Sequence, residues 1–258
     1  MDTRRLSEIT PARRMWRRLM RSLAGTTVAL LIGCAGTPPA PPPEANDPFE
    51  ETNRQIYRFN DGLDRYVAAP TARVYMAVTP DVARTGVTNF FSNVTYPGVV
   101  LNSALQGRWQ EVGQGVTRII INSTWGVFGL IDVATPLGLE ARNRDFGQTV
   151  AGWGKTEGTY LMLPVLGPST TRDVQDVPVS LVSNPLTWAG WTVAAPLTVL
   201  NLVNLRANLD RAARFRSDTA IDEYAFTRSA YRQFRNTVIF DGAPPETDPF
   251  DEIDWFDD

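Results

Sequence analysis

The chain has 258 residues, with 25 basic and 28 acidic side chains, a single cysteine and no histidine. Without its first 33 residues it keeps 18 basic and 26 acidic side chains, a balance that excludes a strongly basic nucleic-acid face. The lack of histidine excludes a Ser-His-Asp relay and an ordinary zinc site, so an enzyme of this sequence would have to work with carboxylates.

Arg4, Arg5, Arg13, Arg14, Arg17, Arg18 and Arg21 precede an apolar stretch from Leu23 to Ile32, the pattern of a secretory signal over residues 1–33. That stretch is too short to cross a hydrocarbon core of about 30 Å. It ends in Leu31-Ile32-Gly33-Cys34, which reads as a lipobox with Cys34 as the lipidated residue; an ordinary cleaved signal is the alternative. Cys34 has no second cysteine to pair with, and lipidation accounts for it. Ala35 follows, where an aspartate would typically retain a lipoprotein in the inner membrane, so sorting to the outer membrane is the default. Acyl chains add ~0.8 kcal/mol per buried CH₂, which makes such an anchor effectively permanent. Residues 34–46, with five prolines between Pro38 and Pro43, form a stiff polyproline tether.

The folded part opens at Asp47-Pro48-Phe49-Glu50, a capping-box pattern with proline suited to the first turn. Ile56, Phe59, Leu63 and Tyr66 then recur at helical spacing, and the helix is expected to stop before Pro70. Pro70 and Thr79-Pro80-Asp81 mark two further openings, with a separate short helix predicted from Pro97 to Gln106, ended by Gly107. The next helix is predicted over Trp109 to Asn122, with Val112, Val116 and Ile119 on one side. Ile119 to Ile131 carries no charge and is read either as a buried hairpin or as one dipping into a leaflet.

Asp145 to Thr149 opens a helical turn leading to Gly152-Trp153-Gly154, and Thr159 to Leu166 is the one candidate strand. Val177 to Leu205 runs 29 positions without charge and is read as two short helices, its tryptophans suited to a headgroup layer. A last helix is predicted over residues 217–236, with Ile221, Tyr224, Arg228, Tyr231 and Arg235 on one face. The acidic stretch from Asp241, within a tail assigned to residues 237–258, is expected to be solvated.

In collinear order over residues 47–235, the chain resembles the MlaA family of outer-membrane lipoproteins, also called VacJ. The resemblance rests on Asp47-Pro48-Phe49-Glu50 with Asn53 and Phe59-Asn60, Asn89-Phe90, and Leu105-Gln106-Gly107. It continues through Asn122-Ser123-Thr124, Ile131-Asp132-Val133-Ala134, Phe146-Gly147-Gln148-Thr149, Leu163-Pro164 and Gly167-Pro168-Ser169. Thr52 and Thr159 depart from the family pattern. For residues 47–236 the resemblance implies a mostly α fold: a ring-like arrangement of short amphipathic helices embedded in one membrane leaflet, with a minor strand segment. It also implies passage of misplaced phospholipids through a central amphipathic channel toward the periplasmic carrier MlaC, and association with a trimeric porin. No cofactor is implied.

On that reading Asn122, Ser123, Thr124 and Gln148 are candidates for the headgroup path, although polar groups at helix ends also cap. Gly126, Gly129, Gly147 and Gly154 are candidate pore hinges, for which turn geometry is the competing account. Two other classes stay open. One is a porin- or wall-bracing structural lipoprotein, and the other a glycan hydrolase using, for example, Asp145 and Glu157.

Overall fold

The computed structural model describes residues 47–242; the signal segment, Cys34, the proline tether and the tail beyond Gly242 lie outside them. The described residues are mostly helical, with a small two-stranded sheet, and no helix among them is long and apolar enough to cross a membrane.

Helix α1 (Glu50–Leu63) begins where the sequence places it, but not through the expected capping box. Phe49 occupies the cap position, and the Asp47 side chain turns inward, 2% exposed, to pair with Arg228 at 3.0 Å. The predicted apolar stripe is divided: Ile56 packs beside the core, while Phe59, Leu63 and Tyr66 are exposed, and the buried residue of the helix is Asn53. Nor does the helix stop before Pro70. A π-helical turn at Asp64–Ala68 carries it into α2 (Ala69–Val78), with the Ala69 N–H donating to the Asp64 carbonyl. The wider turn brings Pro70 into the first turn of a fresh helical segment, where a missing N–H costs little.

Helix α3 runs unbroken from Asp81 to Leu105, through Pro97. An interior proline costs about 3 kcal/mol, so the predicted break was reasonable on local grounds. Burial of Phe91 and Tyr96 before the proline, and of Asn102 and Ser103 after it, opposes that cost. Gly107, at φ 72°, ends the helix as expected, and α4 (Trp109–Thr124) follows. Its buried face is polar, made of Gly115, Arg118 and Asn122, whereas Val116 and Ile120 are exposed.

The uncharged segment after α4 is not a buried hairpin. Trp125, Val127, Phe128, Leu130 and Ile131 are all exposed, Phe128 to 76%. Val127 and Phe128 hold left-handed backbone at φ 52° and 57°, a conformation costly for a β-branched residue.

Helix α5 (Phe146–Gly152) opens on Asp145, whose side chain accepts from the Gln148 N–H at 2.8 Å. The candidate strand becomes a hairpin, β1 (Tyr160–Leu163) against β2 (Gly167–Thr170), antiparallel with Tyr160 opposite Thr170. Two asparagines of α1 bind β1 as a neighbouring strand would. Asn53 donates to the Tyr160 carbonyl and accepts from the Met162 N–H, at 3.1 and 2.8 Å. Asn60, two turns on, does the same with Leu163 and Val165, at 2.9 and 2.8 Å. Tyr160, Met162 and Tyr224 form the small apolar core beside them.

Three helices, not two, occupy the long uncharged region: α6 (Asp176–Ser183), α7 (Pro185–Trp188) and α8 (Trp191–Asn208), the last running through Pro196. Trp188 and Trp191 are exposed, the latter to 82%. The predicted helix over 217–236 is two helices, α9 (Asp210–Thr219) and α10 (Glu223–Ile239). Asp222 caps α10 by accepting from the N–H groups of Tyr224 and Ala225, and Ile221, expected on one face with Tyr224 and Arg228, precedes the helix and is fully exposed.

Candidate functional site

Polar groups fill the inside of this fold, and the sequence candidates divide between two clusters of them. The first lies at the end of α4. Asn122 donates to Asp132 at 3.1 Å and accepts from the Val133 and Ala134 N–H groups at 2.9 Å each, pinning the chain that returns from the exposed loop. Buried Arg118 donates to Asp132 at 3.1 Å and to Thr135 at 3.0 Å. Burial pushes the Asp132 carboxyl up, but the Thr135, Asn122 and Arg118 donors outweigh it and leave the pKa below its ordinary value. Ser123 accepts from Asn93 at 2.9 Å, and Thr124 bonds back to the Ile120 carbonyl of its own helix at 2.7 Å. Asn89, Ser92, Asn93, Tyr96, Arg118 and Asn122 border a cavity of about 190 Å³.

The second cluster gathers around α5. Gln148 is buried, accepting from Arg144 at 3.2 Å and donating to the Asn143 carbonyl at 3.1 Å. Arg144, also buried, grips Glu111 with two bonds of 2.8 and 2.9 Å. On the far side of α5, Arg235 joins Asp145 at 2.5 Å to Asp173 at 3.0 Å, and Tyr231 donates to Asp173 at 2.9 Å. Gln148 borders a separate cavity of about 330 Å³ with Arg108, Arg144, Trp153 and Phe240. Asn122 and Gln148 therefore border two different cavities, while Ser123 and Thr124 are not among the residues that line either.

The four glycines differ in what they do. A Cβ at Gly126 would collide with the carbonyls of Asn122 and Ile131. One at Gly147 would lie 2.5 Å from Asp173 Oδ1 and 2.6 Å from Arg235 Nη2, so the absent side chain lets the ion pair close against the helix. Gly129 and Gly154 both sit at φ 90°, Gly154 in open space.

Sequence reasoning missed the buried cations. Arg118, Arg144, Arg172, Arg228 and Arg235 are all buried, and a carboxylate partners each. Guanidinium suits such sites because its planar fork can meet several acceptors at once. The signal was present for two of them, since Arg228 and Arg235 fall in line with Tyr224 and Tyr231 on one helical face. Asp241 was expected in a solvated tail and instead pairs with Arg108 at 2.8 Å and with Arg144.

A third cavity, of about 170 Å³, separates α3 from α8 and is bordered by Thr88, Ser92, Thr95, Asn201, Asn204 and Asn208. Asn204 donates to Thr88 at 2.9 Å and accepts from Tyr75 at 3.1 Å, which answers the need for partners in an uncharged helix. Phe91 and Leu205 complete its border, and Val193, Val199 and Leu202 of α8 are exposed.

The two carboxylates named for hydrolysis, Asp145 and Glu157, are each paired with an arginine. Burial raises the Asp145 carboxyl, but Arg235 overrides it and holds the pKa below the ordinary carboxylate value, so Asp145 stays ionised and cannot act as a general acid. Glu157 is tied to Arg232 at 3.4 Å. Among the described residues no group of His, Cys, Asp or Glu is arranged to hold a metal.

Fold and site together define a helical protein with a polar interior and a tryptophan-bearing apolar exterior. The MlaA lipoprotein family model matches residues 45–238, and the chain belongs to that family, whose members are lipoproteins and not enzymes. It is 33% identical to the intermembrane phospholipid transport system lipoprotein MlaA of Escherichia coli K12, over 90% of this chain and 93% of that one. An uncharacterised protein of Rickettsia bellii is also 33% identical, over 76% of this chain and 78% of the other. A solved structure concerned with maintenance of bacterial outer membrane lipid asymmetry superposes with a TM-score of 0.65 at 29% identity, covering 75% of this chain and 98% of that one.

Proposed function

We propose that this protein removes mislocalised phospholipid from the outer leaflet of a Gram-negative outer membrane and passes it to a soluble periplasmic carrier of the MlaC kind. The observation that supports this reading is the inverted polarity of the fold. Trp125, Phe128, Trp188 and Trp191 point outward, where water would be unfavourable and acyl chains favourable, while asparagines and ion pairs line cavities within. A lipid in transit needs such a division: a polar route for its headgroup beside an apolar one for its tails. Relatives named as components of an intermembrane phospholipid transport system add to the case.

In this reading residues 1–33 are removed on export, Cys34 carries the anchor, and residues 35–46 tether residues 47–236 in the periplasmic leaflet as a ring beside a trimeric porin. Asn122, Ser123, Thr124 and Gln148 contribute to the headgroup path. Gly154, in open space, serves as a hinge point, while Gly126, Gly147 and Gly129, the last against Asn93, serve close packing. The test is the amount of phospholipid in the outer leaflet of a strain lacking the gene, complemented with wild type or with Cys34→Ala. A rise in the deletion, reversed only by the acylated form, is the expected result. An unchanged outer leaflet, under membrane stress as well, would leave the protein as a structural lipoprotein.

A further inference from the structure

The end of α10 meets the start of α4 at a group of charges beside Gln148, whose Oε1 accepts from Arg144 at 3.2 Å. Arg108 and Arg144 border two cavities at once, one of about 330 Å³ and one of about 420 Å³. The larger also takes in Arg142, so three guanidinium groups face it against two carboxylates, Glu111 and Asp241. Those carboxylates are held differently. Glu111 lies on α4, its side chain 17% exposed, and accepts two bonds from Arg144 and one from Arg108. Asp241 comes from beyond the last helical residue, sits at the left-handed φ of 53°, and leaves 45% of its side chain in solvent. Its two oxygens nevertheless bridge both arginines, one to Arg108 at 2.8 Å and the other to Arg144.

Such a bridge presents two anionic oxygens to two guanidinium groups, as one phosphodiester would. The neighbouring cavity adds what an amphiphile requires, since Leu105, Ala151, Trp153, Ile239 and Phe240 supply an apolar lining directly beside the arginines. We infer that Arg108 and Arg144 form a binding site for the phosphodiester headgroup of an amphiphile, and that Asp241 is its displaceable occupant. A phosphodiester arriving there takes the two guanidinium groups while the Asp241 carboxylate swings into water. Glu111 stays in place and keeps Arg144 oriented. The inference rests on the phospholipid-transport reading for its ligand, but the site stands on charge and geometry alone.

The mature acylated protein in an uncharged detergent is titrated calorimetrically with dihexanoyl-phosphatidylglycerol, with inorganic phosphate, and with dihexanoylglycerol, which has no phosphate. Three forms are compared: wild type, Asp241→Asn and Arg108→Gln. Arg108 is partly exposed, so its replacement should leave the fold intact, and buried Arg144 is left alone. The phosphodiester should bind wild type, bind Asp241→Asn about fivefold more tightly (about 1 kcal/mol), and bind Arg108→Gln at least as much more weakly. Dihexanoylglycerol should not discriminate among the three. Equal affinity of all three forms for the phosphodiester would overturn the site. Phosphate binding as tight as that of the phosphodiester would overturn the amphiphile assignment. The outer-leaflet assay above, run on the deletion strain, fails or succeeds independently of these titrations.

Discussion

Replacing Gly147 by alanine adds one methyl group at the most crowded point of the ion-pair network. The new carbon would lie 2.5 Å from Asp173 Oδ1 and 2.6 Å from Arg235 Nη2. Neither atom can retreat easily: Asp173 is held by Arg172 at 3.0 Å, by Tyr231 at 2.9 Å and by Arg235, and both Asp173 and Arg235 are buried. Overpacking of this kind costs up to about 3 kcal/mol, and alanine's helix propensity returns up to about 1 kcal/mol. The net loss of about 2 kcal/mol corresponds to a melting temperature lower by roughly 4–8 °C for a domain of this size. The assay is thermal unfolding of the mature protein in an uncharged detergent, followed by circular dichroism. Gly152→Ala is the control, because a Cβ there meets nothing within 4 Å in the same helix. If Gly147→Ala melts together with Gly152→Ala, the ion pair does not pack against this backbone as described.

Acid should act through the same network. The Asp145 pKa, raised by burial but lowered more by Arg235, lies below its unfolded value, so its stabilising contribution is complete above the unfolded pKa of about 3.9 and is lost as pH falls through the depressed folded value. Melting temperature should therefore be flat from pH 7 to 5 and drop below pH 4, and Asp145→Asn should flatten part of that drop; an unchanged acid limb in the variant would contradict this. Phe128→Asp should separate membrane contact from folding. Aspartate tolerates left-handed backbone better than phenylalanine, so the melting temperature should stay within about 2 °C. Flotation of non-acylated protein with phospholipid vesicles should fall severalfold, and undiminished flotation would remove this loop from the membrane face.

What was legible in the sequence was mostly what is decided locally. Gly107 stops a helix because its own φ is positive, and Asp145 starts one because its side chain reaches an N–H three residues on. Proline was over-read: Pro97 lies inside a helix buried on both sides of it, and Pro196 inside one whose buried residues, Asn204 and Ala207, both follow the proline. β2 escaped notice because Gly167-Pro168-Ser169-Thr170 has little strand character of its own, and it is paired only through the register of β1. The apolar periodicities mark real faces, but periodicity does not say which way a face points. Phe59, Leu63 and Val116 are exposed, whereas Ile56, on one stripe with Phe59 and Leu63, packs beside the core. The partners of the long-range ion pairs could not be found by spacing, since Asp47 and Arg228 are 181 residues apart.

Reliance on arginine has a practical consequence. The sequence contains one lysine, Lys155, exposed in the turn after α5, while every cation of the buried network is a guanidinium. Amine-selective reagents therefore find one side chain to modify. A fluorophore or cross-linker placed there reports from the turn that bears Gly154, leaving the charges within the fold chemically untouched.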